Sequence, residues 1–202
     1  MTDKFTVVMG GNFDPPHIGH FFCVANLLNC KDVEEVWLVP AGDWRYDKKP
    51  VVSANHRVKM LEIALAELSL EERTVISKKQ LEGKDKCYTY DLLTAFSKEF
   101  KEKNFAFAIG EDRLSDLVNW YNYKELIKQF KFFVIPREEK EGSFLREAKK
   151  ILKEIELVYL KNAPTCSVSS TYLRQLIKEG KVILPFITPK VSSYIVKNGL
   201  YR

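Results

Sequence analysis

Short apolar runs rich in β-branched and aromatic residues alternate along the chain with longer runs whose apolar residues have helical spacing. The short runs predict six buried strands at residues 5–9, 35–39, 74–76, 105–109, 132–135 and 157–160. The longer runs predict helices at residues 18–28, 54–68, 90–101, 124–130 and 144–155. Because alternating strands and helices pair through crossover connections, this order predicts an α/β fold with a parallel sheet.

Right-handed crossovers place helices on both faces of such a sheet, so we predict that it is doubly wound. The C-terminal part has another pattern, because residues 171–179 and 188–197 have helical spacing with Gly180 and Pro185 between them and no strand. We therefore predict a single domain over residues 1–202, in which residues 165–202 form a small helical cap. Ligands of these sheets bind at the carboxyl ends of the strands.

The composition is that of an ordinary globular protein, with 46% hydrophobic and 29% charged residues. Both signs of charge are interleaved, and the net charge of +5 suits a polyanionic small ligand without requiring nucleic acid. The cysteines Cys23, Cys30, Cys87 and Cys166 lack the paired spacing of a zinc ribbon or a dense disulfide framework. With no cleavable signal and no apolar run of about 18 residues, the sequence predicts a cytoplasmic protein without a membrane partner.

Residues 10–20, the first motif, join the first predicted strand to the first predicted helix and read Gly-Gly-Asn-Phe-Asp-Pro-Pro-His-Ile-Gly-His. Gly10 and Gly11 leave room for a phosphate to approach the backbone, and the helix that follows directs free N–H groups to the same place. His17 and His20 share one helix face, where they can contact oxygens of a triphosphate. Alternatively, the two histidines and Cys23 form a metal site, although the apolar neighbours of Cys23 favour a place in the core.

Residues 168–174, the second motif, read Val-Ser-Ser-Thr-Tyr-Leu-Arg. Ser169 or Ser170 would cap a helix whose free N–H groups hold phosphate oxygens, and Arg174 lies one turn further on the same face. The third motif, residues 109–112, reads Ile-Gly-Glu-Asp and follows the fourth predicted strand at its carboxyl end. Taken singly, the second motif also fits an ordinary capped surface helix, and Asp112 also fits the first turn of a helix.

Together these motifs resemble a known family. His17-Ile18-Gly19-His20 is the HIGH motif of the nucleotidyltransferase superfamily, which includes class I aminoacyl-tRNA synthetases. The first motif as a whole is similar to the opening signature of bacterial nicotinate mononucleotide adenylyltransferases. The second resembles the Ile-Ser-Ser-Thr-x-Ile-Arg box of that family, and the third resembles its Ile-Gly-x-Asp motif. The resemblance covers nearly the entire chain.

The resemblance implies a Rossmann-like nucleotidyltransferase fold and a reaction in which the 5′-phosphate of an acceptor attacks the α-phosphorus of ATP. A phosphate monoester has a second pKa of about 6, so this nucleophile needs no general base. The implied catalytic residues are His17, His20 and Arg174. The implied ATP-binding residues are Gly10, Gly11, Asn12, Phe13, Gly110, Asp112, Ser169, Ser170 and Thr171. Mg²⁺ is expected to arrive with ATP, with no ligand from protein side chains.

The acceptor implied by the resemblance is nicotinate mononucleotide. Trp120 resembles the family's tryptophan that stacks on the pyridine ring, and Tyr88 and Thr89 resemble a segment that contacts the same substrate. The loop at residues 41–52 departs from the family pattern, so that Trp44 and Arg45 either close over the acceptor or belong to a solvated loop. Two further residues, Arg57 and Arg137, fall where the family often has arginine, with no role assigned.

Three other functions remain open at this point. An adenylyltransferase that takes nicotinamide mononucleotide, or both mononucleotides, would keep the same motifs. A noncatalytic module that binds ATP or a dinucleotide would keep the phosphate-binding motifs without turnover. RNA binding is disfavoured, because the chain has no KMSKS-type lysine loop and is too short to add an anticodon-binding domain. We therefore expect small-molecule partners, ATP and a pyridine mononucleotide, and no nucleic acid.

Overall fold

The computed structural model describes residues 4–42, 49–82, 87–136, 155–161, 163–164 and 166–202. Each of the six apolar runs forms a strand, as the sequence predicts. The strands are β1 (Phe5–Gly11), β2 (Val33–Pro40), β3 (Thr74–Ile76), β4 (Asn104–Gly110), β5 (Lys131–Ile135) and β6 (Leu157–Tyr159).

These strands form one parallel sheet in the order β3-β2-β1-β4-β5-β6. Phe107 of β4 lies opposite Val8 of β1 and opposite Phe132 of β5, and Phe133 lies opposite Val158 of β6. The order reverses beside β1, since the next two strands extend the sheet on one side and the last three on the other. A reversal of this kind marks where open α/β sheets bind ligands, beyond the carboxyl ends of the strands.

Helices flank the sheet, which confirms the predicted α/β fold. The α-helices are α1 (Ile18–Leu28), α2 (Ala54–Glu67), α3 (Lys79–Glu82), α4 (Thr89–Glu99), α5 (Tyr123–Gln129), α6 (Ser170–Lys178) and α7 (Pro189–Lys197). Within the described ranges, 3-10 helices cover Glu71–Arg73 and the longer segment Glu111–Asn119. The helix predicted at 144–155 falls almost wholly outside the described residues. No helix within the described ranges is long and apolar enough to span a membrane.

The contacts of the chain divide it into two compact units. The first unit contains Met1–Met9, Asn26–Trp37 and Cys87–Thr165. The second unit contains Gly10–Ala25, Leu38–Lys86 and Cys166–Arg202, so the C-terminal helices α6 and α7 belong to the same unit as the first motif. The single domain over residues 1–202 stays a prediction.

Each unit has its own buried residues. In the first unit, Trp37 makes edge-on contacts with Phe96 and Phe105 at centroid distances of 5.0 and 5.3 Å. In the second unit, α7 packs on α2, and Tyr194 of α7 lies with its hydroxyl 2.9 Å from Nδ1 of His56. The C-terminal helix is thereby fixed to the helix that follows β2.

Candidate active site

The first motif begins where β1 ends and lies in the second unit. Phe13 is buried and has a φ of 51°, a left-handed conformation that is uncommon for a residue with a side chain. A Cβ atom at Gly11 would lie 3.1 Å from the Phe13 ring. Glycine suits this position because a Cβ atom would crowd the Phe13 ring, a reason separate from the phosphate access that the sequence indicates.

His17 lies directly before α1 and His20 lies in its first turn. Their rings stack with centroids 3.7 Å apart, so the two histidines share a face as the spacing predicts. Nδ1 of His20 accepts a hydrogen bond from the His17 backbone N–H at 3.1 Å. In the neutral His20 ring the proton therefore sits on Nε2, which makes this nitrogen a donor. His17 is only 6% exposed, and His20 is half-buried.

The alternative metal site finds no support in the geometry. Within the described part of the chain, no group of three His, Cys, Asp or Glu side chains is placed to hold a metal ion, so His17, His20 and Cys23 do not form one. None of the four cysteines, all of which lie within the described ranges, forms a disulfide.

Helix α6 starts at the second motif, also in the second unit. Ser169 is its N-cap, and the Ser169 Oγ accepts a hydrogen bond from the Tyr172 N–H at 3.2 Å. The Ser170 hydroxyl has a different partner, because it donates to the carbonyl of Pro15 at 2.9 Å. Of the two serines that the sequence left open, the first caps the helix and the second contacts the first motif.

Arg174 makes the second link between the two motifs. Its Nη1 donates to the Asp14 carbonyl at 2.6 Å, and its Nη2 donates to Thr171 Oγ1 at 3.1 Å. The guanidinium is therefore held between the start of α6 and the loop before α1. Residues more than 150 positions apart in the sequence meet here, and the histidine pair follows directly in the chain where this loop enters α1.

Sequence reasoning did not single out Asp14, which is only 1% exposed. Its Oδ2 accepts the Val51 N–H at 2.6 Å, and its Oδ1 accepts the Tyr201 hydroxyl at 2.7 Å. Burial, and then the charge of Asp14, raise the pKa of Tyr201 above its usual range. No local spacing signals this pair, since 187 positions separate the two residues.

Arg57, whose role the sequence left open, is fully buried on α2. Its Nη1 donates to the Asn12 carbonyl at 3.0 Å, and its Nη2 donates to the Ala41 carbonyl at 2.8 Å. The Ala41 N–H in turn donates to the Gly11 carbonyl at 2.8 Å. Arg57 thus fixes the backbone on which the first motif begins, which explains why a long cationic side chain is buried at this position.

The third motif belongs to the first unit. Gly110 ends β4, and Asp112 is exposed in the 3-10 helix that follows, at the carboxyl end of the strand as predicted. Between them, Glu111 is buried and accepts a hydrogen bond from the Tyr159 hydroxyl at 2.8 Å. Asp112 is therefore the accessible carboxylate of this motif, whereas Glu111 faces the protein interior.

Of the residues predicted to bind the acceptor, the structure describes three, and these also lie in the first unit. Trp120 is half-buried, and Phe107 packs edge-on against its ring at 5.9 Å. Tyr88 and Tyr121 are exposed and stack with centroids 4.7 Å apart, and Thr89 begins α4. The two other acceptor candidates, Trp44 and Arg45, lie outside the described residues, as does half of the loop at 41–52. Arg137, to which the sequence assigned no role, also lies outside them.

Comparison with known proteins gives consistent matches. The cytidylyltransferase-like family model matches residues 8–176. Relatives from Caldicellulosiruptor bescii and Bacillus cytotoxicus, both named "Probable nicotinate-nucleotide adenylyltransferase", are 32% and 33% identical over 96% of this chain and 97% of their own length. The structure of Plasmodium falciparum nicotinic acid mononucleotide adenylyltransferase complexed with NaAD matches with a TM-score of 0.82 and 25% identity, over 98% of this chain and 97% of that chain.

Proposed function

The chain belongs to the cytidylyltransferase-like family and to its nicotinate-nucleotide adenylyltransferases, and on that premise we propose that it transfers the adenylyl group of ATP to nicotinate mononucleotide. The products are deamido-NAD and pyrophosphate. The observation that carries the proposal is the junction of the first and second motifs, where Ser170 contacts Pro15 and Arg174 contacts Asp14. This junction places a histidine pair, an arginine and the starts of two helices around one loop.

In the proposed reaction, an oxygen of the acceptor's 5′-phosphate forms a bond to the α-phosphorus of ATP, and the bond from that phosphorus to pyrophosphate breaks. The attacking phosphate has a second pKa of about 6 and is largely dianionic at neutral pH, so no side chain has to remove a proton. The protein accelerates such a transfer by alignment and by stabilising negative charge. This role fits a site rich in cations and N–H donors.

Specific roles follow from the geometry of the second unit. We assign to His20 Nε2 and to the Arg174 guanidinium the contacts with oxygens that gain charge as pyrophosphate leaves. His17 supports the ring of His20 by stacking and through its backbone N–H. The starts of α1 and α6 add the positive ends of their helix dipoles, in keeping with the preference of helix N-termini for anions. At α1 this contribution comes from the dipole, because the Ile18 N–H already donates to the Phe186 carbonyl at 2.8 Å. Gly10, Gly11, Asn12 and Phe13 form the adjoining wall of this ATP site.

ATP enters as its magnesium complex in this proposal, so Mg²⁺ is part of the substrate. The ion prefers phosphate oxygens and water to a cage of protein ligands. The donor set of the second unit fits this arrangement, since it offers the Arg174 guanidinium, two imidazoles and the hydroxyls of the second motif. The carboxylate of the first motif, Asp14, is buried and bonded to Val51 and Tyr201.

The acceptor contacts are assigned to the first unit. Trp120, Tyr88 and Thr89 provide aromatic and hydroxyl groups, and an aromatic face attracts a cationic pyridinium ring. Gly110 and Asp112 complete the nucleotide contacts, and we keep Trp44 and Arg45 as candidates for closing over the acceptor. Nicotinate carries a carboxylate on its pyridine ring where nicotinamide carries an amide. The choice between the two mononucleotides is therefore the most detailed part of the proposal.

Pyrophosphate release tests the proposal directly. Purified protein with MgATP is supplied with nicotinate mononucleotide, nicotinamide mononucleotide or neither, and MgCTP replaces MgATP in a parallel series. We expect the highest kcat/KM with MgATP and nicotinate mononucleotide, and formation of deamido-NAD in equal amount to pyrophosphate. Equal kcat/KM with the two mononucleotides would support the dual-specificity alternative. If no pyrophosphate is released with either mononucleotide although MgATP binds tightly, the noncatalytic binding module is favoured.

Location is a separate proposal. We infer a cytoplasmic enzyme from the sequence, whose four cysteines lack the paired spacing of a disulfide framework. Fractionation of the source cells, with the activity assay as readout, checks this inference.

A further inference from the structure

A buried tyrosine lies against the first motif with no role in the proposed chemistry. Tyr201 follows α7, is 6% exposed, and donates its hydroxyl proton to Asp14 Oδ1 at 2.7 Å. Because burial and the nearby Asp14 charge raise the pKa of Tyr201, its hydroxyl stays protonated and remains a donor over the whole neutral range. The hydrogen bond joins a neutral donor to a buried carboxylate, a type that is stronger than one between neutral groups.

Asp14 connects Tyr201 to Arg174 and Ser170, two side chains of the proposed phosphate site. Its carboxylate is fixed on both oxygens, by Tyr201 on one and by the Val51 N–H on the other. Its carbonyl accepts the Arg174 guanidinium, and the next carbonyl, that of Pro15, accepts the Ser170 hydroxyl. A shift of the Asp14 side chain would therefore move the carbonyl that orients Arg174.

Backbone conformation on both sides of the contact points to the same conclusion. Phe13, next to Asp14, has a φ of 51°, and Tyr201 has a φ of 65°. Left-handed conformations are costly for aromatic residues and persist only where surrounding contacts fix them. Tyr201 itself donates the hydrogen bond to Asp14, and Phe13 directly precedes Asp14 in the chain, so both unusual conformations flank this contact. Backbone strain of this kind concentrates at functional sites.

We propose that Tyr201 is a positioning residue for adenylyl transfer, whose hydroxyl holds Asp14 so that the Asp14 carbonyl orients the Arg174 guanidinium toward the triphosphate. The inference rests on the proposed function. It predicts that loss of the Tyr201 hydroxyl lowers kcat, whereas loss of an ordinary buried hydroxyl lowers only the stability of the fold.

The chain offers a matched control in Tyr194. This residue also belongs to the C-terminal segment and also places its hydroxyl 2.9 Å from a side chain, His56, but that contact joins α7 to α2 and does not touch Asp14. Tyr194→Phe and Tyr201→Phe each remove one hydroxyl. A purely structural role predicts the same kind of change in both variants, namely a lower melting temperature with kcat maintained in the folded protein.

The first measurement compares kcat, KM for MgATP and melting temperature in the two variants. We expect Tyr201→Phe to lower kcat about tenfold or more, since small displacements of aligned groups cost up to about 100-fold. Tyr194→Phe should keep the wild-type kcat while its melting temperature falls by a similar amount. Equal kcat in both variants and the wild type, or equal losses in both, would overturn the inference.

The second measurement asks whether the effect passes through Arg174. Tyr201→Phe is combined with Arg174→Ala, and the cycle of single and double variants is compared. We expect the loss caused by Tyr201→Phe to disappear in the Arg174→Ala background. The same fold-loss in both backgrounds would show that Tyr201 acts independently of Arg174 and would refute the proposed route.

Failure of the proposed function is distinguishable from failure of this inference. A wild-type protein that releases no pyrophosphate refutes the function, and the same cycle is then measured as MgATP affinity by calorimetry. Coupling between the two substitutions in that affinity supports the positioning role, and additive effects refute it.

Discussion

At the residue scale, His20 is oriented by the main chain. The His17 N–H bonds its Nδ1, and stacking on the His17 ring limits its rotation. A donor fixed in this way loses little conformational freedom when it contacts a ligand oxygen. Helical spacing predicted that the two rings share a face, but the sequence does not show the backbone N–H that determines which nitrogen of His20 carries the proton.

We predict that His20→Ala lowers kcat by about 100-fold or more while the fold survives, the range known for loss of one donor to a developing charge. His17→Ala removes the ring that stacks on His20 and should lower kcat by about 100-fold, because displacement of an aligned group has a cost of this size. Steady-state kinetics and circular dichroism measure the two effects.

His20→Asn serves as the control for these variants. Its amide oxygen can accept the His17 N–H in place of Nδ1, but it provides no counterpart of Nε2. We expect wild-type stability with kcat as low as that of the alanine variant. Near-normal kinetics in both alanine variants would contradict the assigned roles.

At this scale the sequence does not predict the contacts of Asp14, Tyr201 and Arg57. Their partners lie between 16 and 187 positions away, whereas spacing patterns report only neighbours within a strand or a helical turn. Arg57 was noticed as an arginine without a role, and the structure shows it bound to two backbone carbonyls. Side-chain contacts of this kind depend on how the backbone turns between the elements, which a single sequence does not reveal.

At the element scale, α6 combines two tasks at its first turn. Ser169 completes the helix by capping it, while Ser170 joins it to the loop before α1. The sequence located this helix start to within one residue but could not choose between the adjacent serines, because serine is a good cap at either position. The helices were predicted well because burial of one face fixes their period. The strands were predicted from continuous apolar runs, in keeping with β4, where five consecutive residues are buried.

We predict that Ser169→Ala lowers the free energy of unfolding by about 1 kcal/mol, the usual contribution of an N-cap side chain. Ser169→Asp keeps a capping oxygen and should retain wild-type stability in urea. Its negative charge stands at the proposed phosphate site, so MgATP affinity should fall on the order of tenfold, or about 1.4 kcal/mol. Calorimetry measures this affinity, and unchanged MgATP binding by the aspartate variant would place the triphosphate elsewhere.

Between elements of the first unit, Glu35 of β2 bonds Lys103 at 2.7 Å and the Thr6 hydroxyl of β1 at 3.0 Å. Partial burial would raise the pKa of Glu35, but the hydrogen bonds from Lys103 and Thr6 outweigh it and hold that pKa below 4.5. A carboxyl group with a lowered pKa stabilises the fold above its unfolded pKa and loses this contribution as pH falls through the folded value.

We therefore predict that wild-type protein loses its stability advantage over Glu35→Gln as the pH falls from about 6 to about 3, because only the carboxylate attracts Lys103. Urea unfolding of both proteins across this range provides the measurement. A difference that stays constant with pH would mean that the carboxylate does not carry the effect.

At the scale of the whole molecule, the two compact units are not separate stretches of chain. β1 contributes Phe5–Met9 to the first unit and its last two residues to the second, and β2 is divided in the same way after Trp37. The sequence predicted one domain from its length and from the alternation of strands and helices. It could not predict this grouping, because compactness depends on contacts between residues far apart in the chain.

We predict that the protein unfolds in one cooperative transition, since two units that share strands cannot lose them separately. Tryptophan fluorescence and far-ultraviolet circular dichroism should give the same midpoint in urea. Two separated midpoints would show that the units unfold independently and would contradict a single domain.

The link between Asp14 and Tyr201 also has a consequence for the order of events during synthesis. The first motif leaves the ribosome early, but Arg174 and Tyr201, 160 and 187 positions later, must emerge before the loop around Asp14 can adopt its final arrangement. Contacts over such long separations form slowly, since the intervening chain loses much freedom when they close. A nascent chain would therefore carry the glycines and histidines of the first motif without a finished nucleotide site until Arg174 and Tyr201 have also emerged.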